Sequence, residues 1–482
     1  MPMNQQSTRI TEVLSNRMNK TLVDFFRCPE ASMKFALSGD LSQEPGYFSF
    51  GSGMVCYGRS CAGPRKNVAE GALADLAHNV TYSGSTLRLP FDPVDVVENL
   101  RRERYAVNGY PGNAGLLSSP FARRLYYFAR PALHVSVRKH LQRYFFLDVP
   151  RLSFPRWPVD TSVETLLERL LLLSIKTQNL KRLPFIWFWP EGAASCVSMS
   201  HDVETKTGLR FCSQLMDVDD RFGIKSSFQV IPENQYPVSQ QFISEVRGRN
   251  FELNIQDLNH KGNLFSDRQQ FLRHAAQINK YAQQYEALGF RSGRMYRNAD
   301  WYDALNIAYD MSIPNVAHYE AQRGGCCTVF PYFIGNILEI PLTTSQDYTV
   351  FNILGDYSHA LWKAQIALVT KAHGLLTFIV HPDYVSERRA MNAYIRLLHR
   401  LAVLRRDENA WIAPPREVNR WWRQRSEMKL VCENGRWRIT GPAQTRARIA
   451  YATVKDDRIE YSVEQNGPRG VLTAATKSAA VL

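Results

Sequence analysis

The run SCVSMSHDVE, residues 195–204, decides the fold. Val197 and Met199 alternate with small polar residues, which is the period of a β-strand. The run closes on His201, Asp202 and Glu204, groups that bind metals and move protons. A stretch with one apolar face, Leu209 to Phe222, follows and reads as a helix. A strand that ends in carboxylates and feeds a helix is laid out like a barrel active site, where strand ends carry the chemistry.

The same alternation continues outward. Strands are expected at 185–189, 195–200, 225–231, 251–256, 289–292, 328–340 and 375–380. Helices are expected at 208–222, 238–249, 267–288, 301–309, 358–373 and 386–406. The 267–288 helix carries Phe271, Ala275, Ile278, Ala282 and Tyr285 at three- and four-residue spacing, with Gly289 as its stop. Such βα alternation argues for a parallel sheet, open or closed into a barrel. The fold class is therefore α/β.

The flanks differ. Residues 1–150 form a mixed α/β region without a readable role; there Asp92 and Pro93 open a helix with the stripe Val94, Val97 and Leu100. The stretch 121–146 mixes arginines with tyrosines and phenylalanines. A helix with one packed face accounts for it better than a nucleic-acid surface. The barrel domain spans 151–415 and opens on a capping box, Thr161 to Glu164. Residues 416–482 read as a basic helix with Trp421 and Trp422, then a small antiparallel β module of about four strands. Asn434-Gly435 marks its first hairpin, Lys455-Asp456-Asp457 its second, and the tail after 465 is expected to be loose.

Composition bounds the rest. At 482 residues and 45% hydrophobic, the chain can bury a large core and is too long for one ordinary domain. Its net charge of +14 is spread out, so a solvated surface is expected and no specific nucleic-acid partner. Eight cysteines lack Cys-x-x-Cys spacing, which argues against a zinc ribbon and for reduced thiols in a cytoplasmic protein. No leader-like apolar core opens the chain, and no run reaches the ~18 apolar residues of a membrane span. Peripheral membrane contact stays open. The absence of Gly-x-Ser-x-Gly leaves a nucleophile-elbow hydrolase unsupported, and Cys326-Cys327 sits among apolar residues that suggest a buried strand.

Reactive groups recur at four strand ends: His201, Asp202 and Glu204; Gln256, Asp257 and His260; Arg291; and His381. The order HDVE, ELNIQDLNHKG, GFRSG and TFIVHPDY resembles the polysaccharide deacetylase family, the NodB-homology group, over about 184–415. The resemblance implies a distorted (β/α) barrel that hydrolyses an N-acetyl group on a saccharide with a divalent metal. Zinc is expected first, with cobalt or manganese as alternatives. It assigns Asp202 as base, Arg291 as the residue that steers it, and His381 as the acid for the leaving amine. It places Glu204, His260 and Gln256 at the metal. The expected partner is an N-acetylated saccharide or glycan precursor. A carboxylate with two imidazoles would leave room on the ion for water and the acetyl oxygen.

Five features depart from the family pattern. Gln256 stands where the first metal histidine belongs, and a carboxamide oxygen is a weaker ligand than imidazole. Val203 separates two acids that are usually adjacent, and Glu204 is one methylene longer than the usual Asp. Asp202 and Glu204 can exchange duties, since sequence does not say which faces the ion. Lys261 follows His260, and the arginine motif lacks its proline. These departures support an alternative, a catalytically impaired member acting as a carbohydrate-binding or scaffold protein. His201 reads as a packed histidine or a donor behind the acid pair, His318 as structural, Asp257 as a loop-orienting residue or cap, and Asp347 as an orienter of His381.

Overall fold

The protein is described by a computed structural model covering residues 16–51, 53–106 and 152–464. The basic aromatic stretch 121–146 and the tail after 465 lie outside the described residues. A helix over 16–26 comes first among the described residues. Five short strands follow: β1 (Phe35–Leu37), β2 (Gly46–Ser49), β3 (Val55–Gly58), β4 (Thr81–Ser83) and β5 (Thr86–Leu89). They form a β1-β5-β4 sheet and a β2-β3 ribbon. The helix Pro93–Arg101 starts as expected, with the Asp92 side chain accepting from the Val94 amide at 2.9 Å. Helix Ser162–Thr177 does not use its expected capping box. Asp160 Oδ1 takes the Ser162 amide at 2.8 Å, while Glu164 turns inward to the Thr328 hydroxyl and the Val329 amide.

Strand β6 (Leu183–Ile186) was expected to begin the barrel alternation. It pairs instead with β18 (Ile449–Lys455), which in turn pairs with β19 (Arg458–Val463). The barrel sheet begins at β7 (Ser195–Val203), three residues longer at its C-terminal end than the 195–200 expected from sequence alternation. It continues through β8 (Ser227–Val230), β9 (Glu252–Gln256), β10 (Gly289–Arg291), β11 (Tyr309–Asp310), β12 (Tyr332–Ile334), β13 (Ile337–Glu339), β14 (Leu375–Ile379) and β15 (Ala410–Ile412). The sheet has nine strands in the order β12-β13-β11-β10-β9-β8-β7-β14, with β15 also on β7. Only β12 runs antiparallel. Every residue of β7 is buried, as a parallel strand covered on both faces requires.

Two expected elements changed form. The 328–340 stretch is not one strand, because a turn at Gly335-Asn336, with Gly335 at φ 59°, folds it into β12 and β13. The 301–309 stretch holds a short turn, Ala299–Ala304, and then β11. Gly289 is no helix stop but the first residue of β10. A Cβ there would meet the Tyr309 ring at 2.3 Å, so glycine is what admits that ring into the barrel.

The sheet curls without a complete ladder, since β14 and β13 do not pair directly. Threonine hydroxyls join β14 to the 341–344 segment. Thr343 Oγ1 donates to the Leu375 carbonyl at 2.7 Å, Thr377 Oγ1 to Pro341 at 2.6 Å, and Thr344 Oγ1 to Thr377 at 2.7 Å. The Thr377 amide, an edge donor that needs a partner, gives to Thr343 Oγ1 at 3.0 Å.

The expected four-strand C-terminal sheet is two separate hairpins. β16 (Lys429–Glu433) and β17 (Arg436–Thr440) close on Asn434-Gly435, both at positive φ as a tight hairpin turn demands. Arg425, on helix Pro415–Glu427, is 2% exposed and, among the described residues, pairs with no carboxylate. It donates to four carbonyls: Trp187 at 2.9 Å, Ile186 at 2.7 Å, Phe25 at 2.9 Å and Phe26 at 3.3 Å. Among the described residues no helix is long and apolar enough to cross a membrane.

Candidate functional site

The alternation of β7 sends its residues to opposite sides of the sheet. His201 reaches Asp219 on the helix Lys206–Arg221, so His201 faces outward. Ser200 and Asp202 share the inner face, where Arg291 of β10 meets both. Arg291 Nη1 lies 2.5 Å from Asp202 Oδ1 and 3.0 Å from Ser200 Oγ, and its Nε gives to the Met311 carbonyl at 3.1 Å. Register pairs Arg291 with Gln256 across β10 and β9. The Gln256 amide nitrogen then donates to Asp202 Oδ2 at 3.3 Å and to Glu204 Oε1 at 3.2 Å. Three strand ends thus converge on the HDVE turn.

Glu204 is the hub. His260 Nε2 lies 2.9 Å from its Oε1 and His381 Nε2 3.6 Å. The His260 nitrogen has no hydrogen-bond partner of good angle, so this contact is an ion pair by distance and not an aligned bond. Burial acts to raise the Glu204 pKa, but the facing charges of His260 and then His381 hold it well below the usual carboxylate range. Burial disfavours the charged form of His260, and Glu204 overrides it and raises that imidazole.

His381 follows β14 and is fixed from behind. Its Nδ1 donates to Asp347 Oδ1 at 2.6 Å, and its backbone amide to Asp347 Oδ2 at 2.7 Å. Burial again opposes the charge, but Asp347 and then Glu204 push the imidazole well above its ordinary value. His381 is therefore a cation with one N–H spent on Asp347 and the other facing the site. The Glu204 and His260 side chains keep 23% and 14% exposure, against 5% for Asp202 and 4% for His381. A ligand therefore approaches past the first two. Tyr384 and Tyr348 are both half-buried, with the Tyr384 ring 4.8 Å from the His381 ring and 6.0 Å from Tyr348.

The remaining expected residues sit as follows. Asp257, at φ 53°, caps the Leu258 amide at 2.7 Å and holds the loop that presents His260. Lys261 is exposed. His318 is buried beside Trp157, and burial holds its imidazole down at about 4, neutral. Cys326 and Cys327 are buried, but in an irregular segment, not a strand. Burial pushes both thiols well above the ordinary range, which removes the nucleophile reading. Sequence reading missed Ser200, Asp219 and Tyr384. Only Tyr384 carried a signal, as the last residue of TFIVHPDY.

Among the described residues no group of three or more His, Cys, Asp or Glu converges as a metal cage. The sequence-derived set is a carboxylate, an imidazole and an amide: Glu204, His260 and Gln256. Its donor types suit a divalent ion. Gln256 Oε1 is buried with no hydrogen-bond partner, a free oxygen lone pair at the right side chain. The amide presents its nitrogen to the carboxylates, and a half-turn of its terminal torsion exchanges nitrogen for oxygen. That turn gives up only two long hydrogen bonds, so Gln256 fits as the weakest ligand of the three.

No protein-family model matches the chain, and no curated protein does. Solved structures are similar over about half of it. A Mycobacterium smegmatis protein described as a polysaccharide deacetylase is 15% identical, with 49% of this chain and 93% of that one covered and a TM-score of 0.40. PuuE allantoinase is 13% identical over 48% of this chain and 92% of its own, with a TM-score of 0.40. A mutant of a CE4 family pseudoenzyme with restored enzymatic activity is 12% identical over 47% and 67%, with a TM-score of 0.29.

Proposed function

We propose that this chain is a hydrolase that removes the acetyl group from an N-acetylated saccharide, acting on a carbon–nitrogen bond that is not a peptide bond. One observation carries the reading. Asp202 and His381, each pinned by its own partner, flank Glu204 and His260 at the C-terminal ends of adjacent parallel strands. A base and an acid at the ends of neighbouring strands, around one carboxylate–imidazole pair, are what amide hydrolysis needs.

Asp202 is the base. Arg291 fixes Oδ1, so Oδ2 takes the proton as a water oxygen bonds to the acetyl carbon. His381 is the acid. As the carbon–nitrogen bond breaks, its Nε2 proton passes to the sugar nitrogen, leaving acetate and a free amine. Asp347 keeps the imidazole charged and aimed until that step. Tyr348 and Tyr384 offer aromatic faces for a sugar ring beside the acid. A divalent ion, zinc first and cobalt or manganese next, would be held by Glu204, His260 and Gln256, where it would polarise the acetyl oxygen and acidify water. Eight unpaired cysteines suit a reducing compartment, so the substrate we favour is a cytoplasmic saccharide or glycan precursor.

The test is release of acetate from N-acetylglucosamine oligomers with added zinc, cobalt or manganese. Asp202→Asn and His381→Ala should each abolish it while leaving the fold intact. A wild type that releases no acetate at saturating metal sinks the proposal. One observation favours a second reading, a saccharide-binding protein without turnover: the Gln256 amide already satisfies both carboxylates that a metal would neutralise. Such a protein would bind the oligomers, release nothing, and stay inert after Gln256→His.

A further inference from the structure

His201 is 0% exposed, and both of its ring nitrogens face acceptors. Nδ1 lies 3.0 Å from the Val380 carbonyl oxygen, and Nε2 lies 2.9 Å from Asp219 Oδ2. A carbonyl has only lone pairs, so Nδ1 carries a hydrogen. Asp219 also accepts from Ser226 Oγ at 2.7 Å and from the Tyr394 hydroxyl at 2.5 Å, so the carboxylate on the helix Lys206–Arg221 that meets Nε2 is itself held from the helix Arg388–Asp407.

Its place in the chain gives this ring a task. The ladder between β7 and β14 ends at Ser200 and Ile379, with one more amide bond from Val380 to Ser200 at 3.0 Å. Beyond that point the strands bear the proposed base, Asp202, and the proposed acid, His381. His201 is the residue before Asp202, and the carbonyl it holds is that of the residue before His381. One ring thus carries the coupling past the end of the ladder. We propose that His201 is a positioning residue, whose ring, held at both nitrogens, sets the separation of Asp202 and His381. The role of those two residues rests on the deacetylase reading above; the bridge made by the His201 ring does not.

Nitrogen NMR of the histidine-labelled wild type tests the ring. Nδ1 of His201 is expected to carry a hydrogen, as donation to the Val380 carbonyl requires, and an unprotonated Nδ1 overturns the proposal. His201→Phe keeps the ring volume and removes both donors. His201→Phe with Asp219→Asn also removes the charge it would strand. In whichever variant folds, His381 ring resonances should move, and kcat should fall at least tenfold with KM within twofold. Unmoved His381 resonances, or kcat within twofold of wild type, overturn the positioning role. His201→Gln restores one donor and should recover part of the loss; no recovery counts against a hydrogen-bonded role. A wild type without deacetylase activity would sink the functional reading alone, and the resonances would still decide the inference.

Discussion

Glu103, from the N-terminal region, grips both edges of the Arg297 guanidinium in a buried pair. Arg297 Nε lies 2.6 Å from Glu103 Oε2, Nη2 closes on Oε1, and the same Oε1 takes the Gly325 amide at 2.6 Å. Arg297 in turn holds the Met295 carbonyl at 2.7 Å, and so the 293–297 loop. That loop is pressed against Asp257 and His260. A Cβ on Gly293 would come within 2.5 Å of Asp257 Oδ2 and 2.8 Å of His260 Cδ2. The N-terminal region therefore buttresses His260 through two intermediates.

Breaking this pair leaves a buried guanidinium without its counter-charge. Glu103→Ala should cost about 3–5 kcal/mol of stability. It should also weaken metal binding, since the wall behind His260 loosens. Denaturant unfolding checks the first, and a zinc titration below the unfolding transition checks the second. Unchanged stability would mean that the pair is not the clamp described.

Gln256→His replaces an amide that offers nitrogen to the carboxylates with an imidazole that offers a lone pair. Metal affinity should rise by about ten- to a hundredfold, the scale on which ligand environment tunes such sites. Competition with a chelator measures it. If affinity is unchanged, position 256 does not belong to the metal set.

Asp347→Asn keeps the size of the side chain that holds His381 and removes its charge. The imidazole then loses the partner that keeps it protonated and aimed. We expect kcat to drop by about 10²–10⁴, as for other orienting carboxylates, with KM little changed. Steady-state kinetics on an N-acetylated oligosaccharide decide it, and a KM effect with normal kcat would place Asp347 in binding instead.

Glu164 gives a pH prediction. Burial raises its carboxyl to about 8, against the lowering effect of the Thr328 hydroxyl, from the 4.5 of a free side chain. The folded state thus binds a proton that the unfolded chain releases between those values. The stability contributed by this group is complete below about 4.5 and drains away as pH rises toward about 8. Glu164→Gln, which cannot ionise, should flatten that decline. Unfolding free energies at several pH values from 5 to 8 test it, and parallel curves for the two proteins would contradict it.

The legible parts of this chain were those whose meaning is local. HDVE, the Gln256–His260 spacing and HPDY each sit within a few residues, so strand alternation alone brings them to one end of a sheet. The Asp92 cap and the Asn434-Gly435 turn were readable for the same reason. What escaped was decided at a distance. Thr161 to Glu164 has the form of a capping box, but a buried acceptor for Thr328 outweighed an exposed cap. Gly289 looked like a helix stop because nothing nearby names the Tyr309 ring that needs its space. The departure of β6 to pair with β18 turns on residues some 260 positions later. His201 shows the middle case. Its burial was foreseeable from alternation, while its two acceptors come from Val380 and Asp219 and had no signature in the sequence around it.

Arg425 has a consequence for how the chain can be divided. Two of its four acceptors belong to the first helix, at the end where carbonyls lack partners within the helix. The other two lie at the threshold of the barrel. A fragment trimmed to start at the barrel would strand a desolvated cation on half its contacts, so excision should yield an unstable piece and not a minimal enzyme. The opening helix, for all its distance from the chemistry, is a structural subunit of the barrel that happens to be covalently attached.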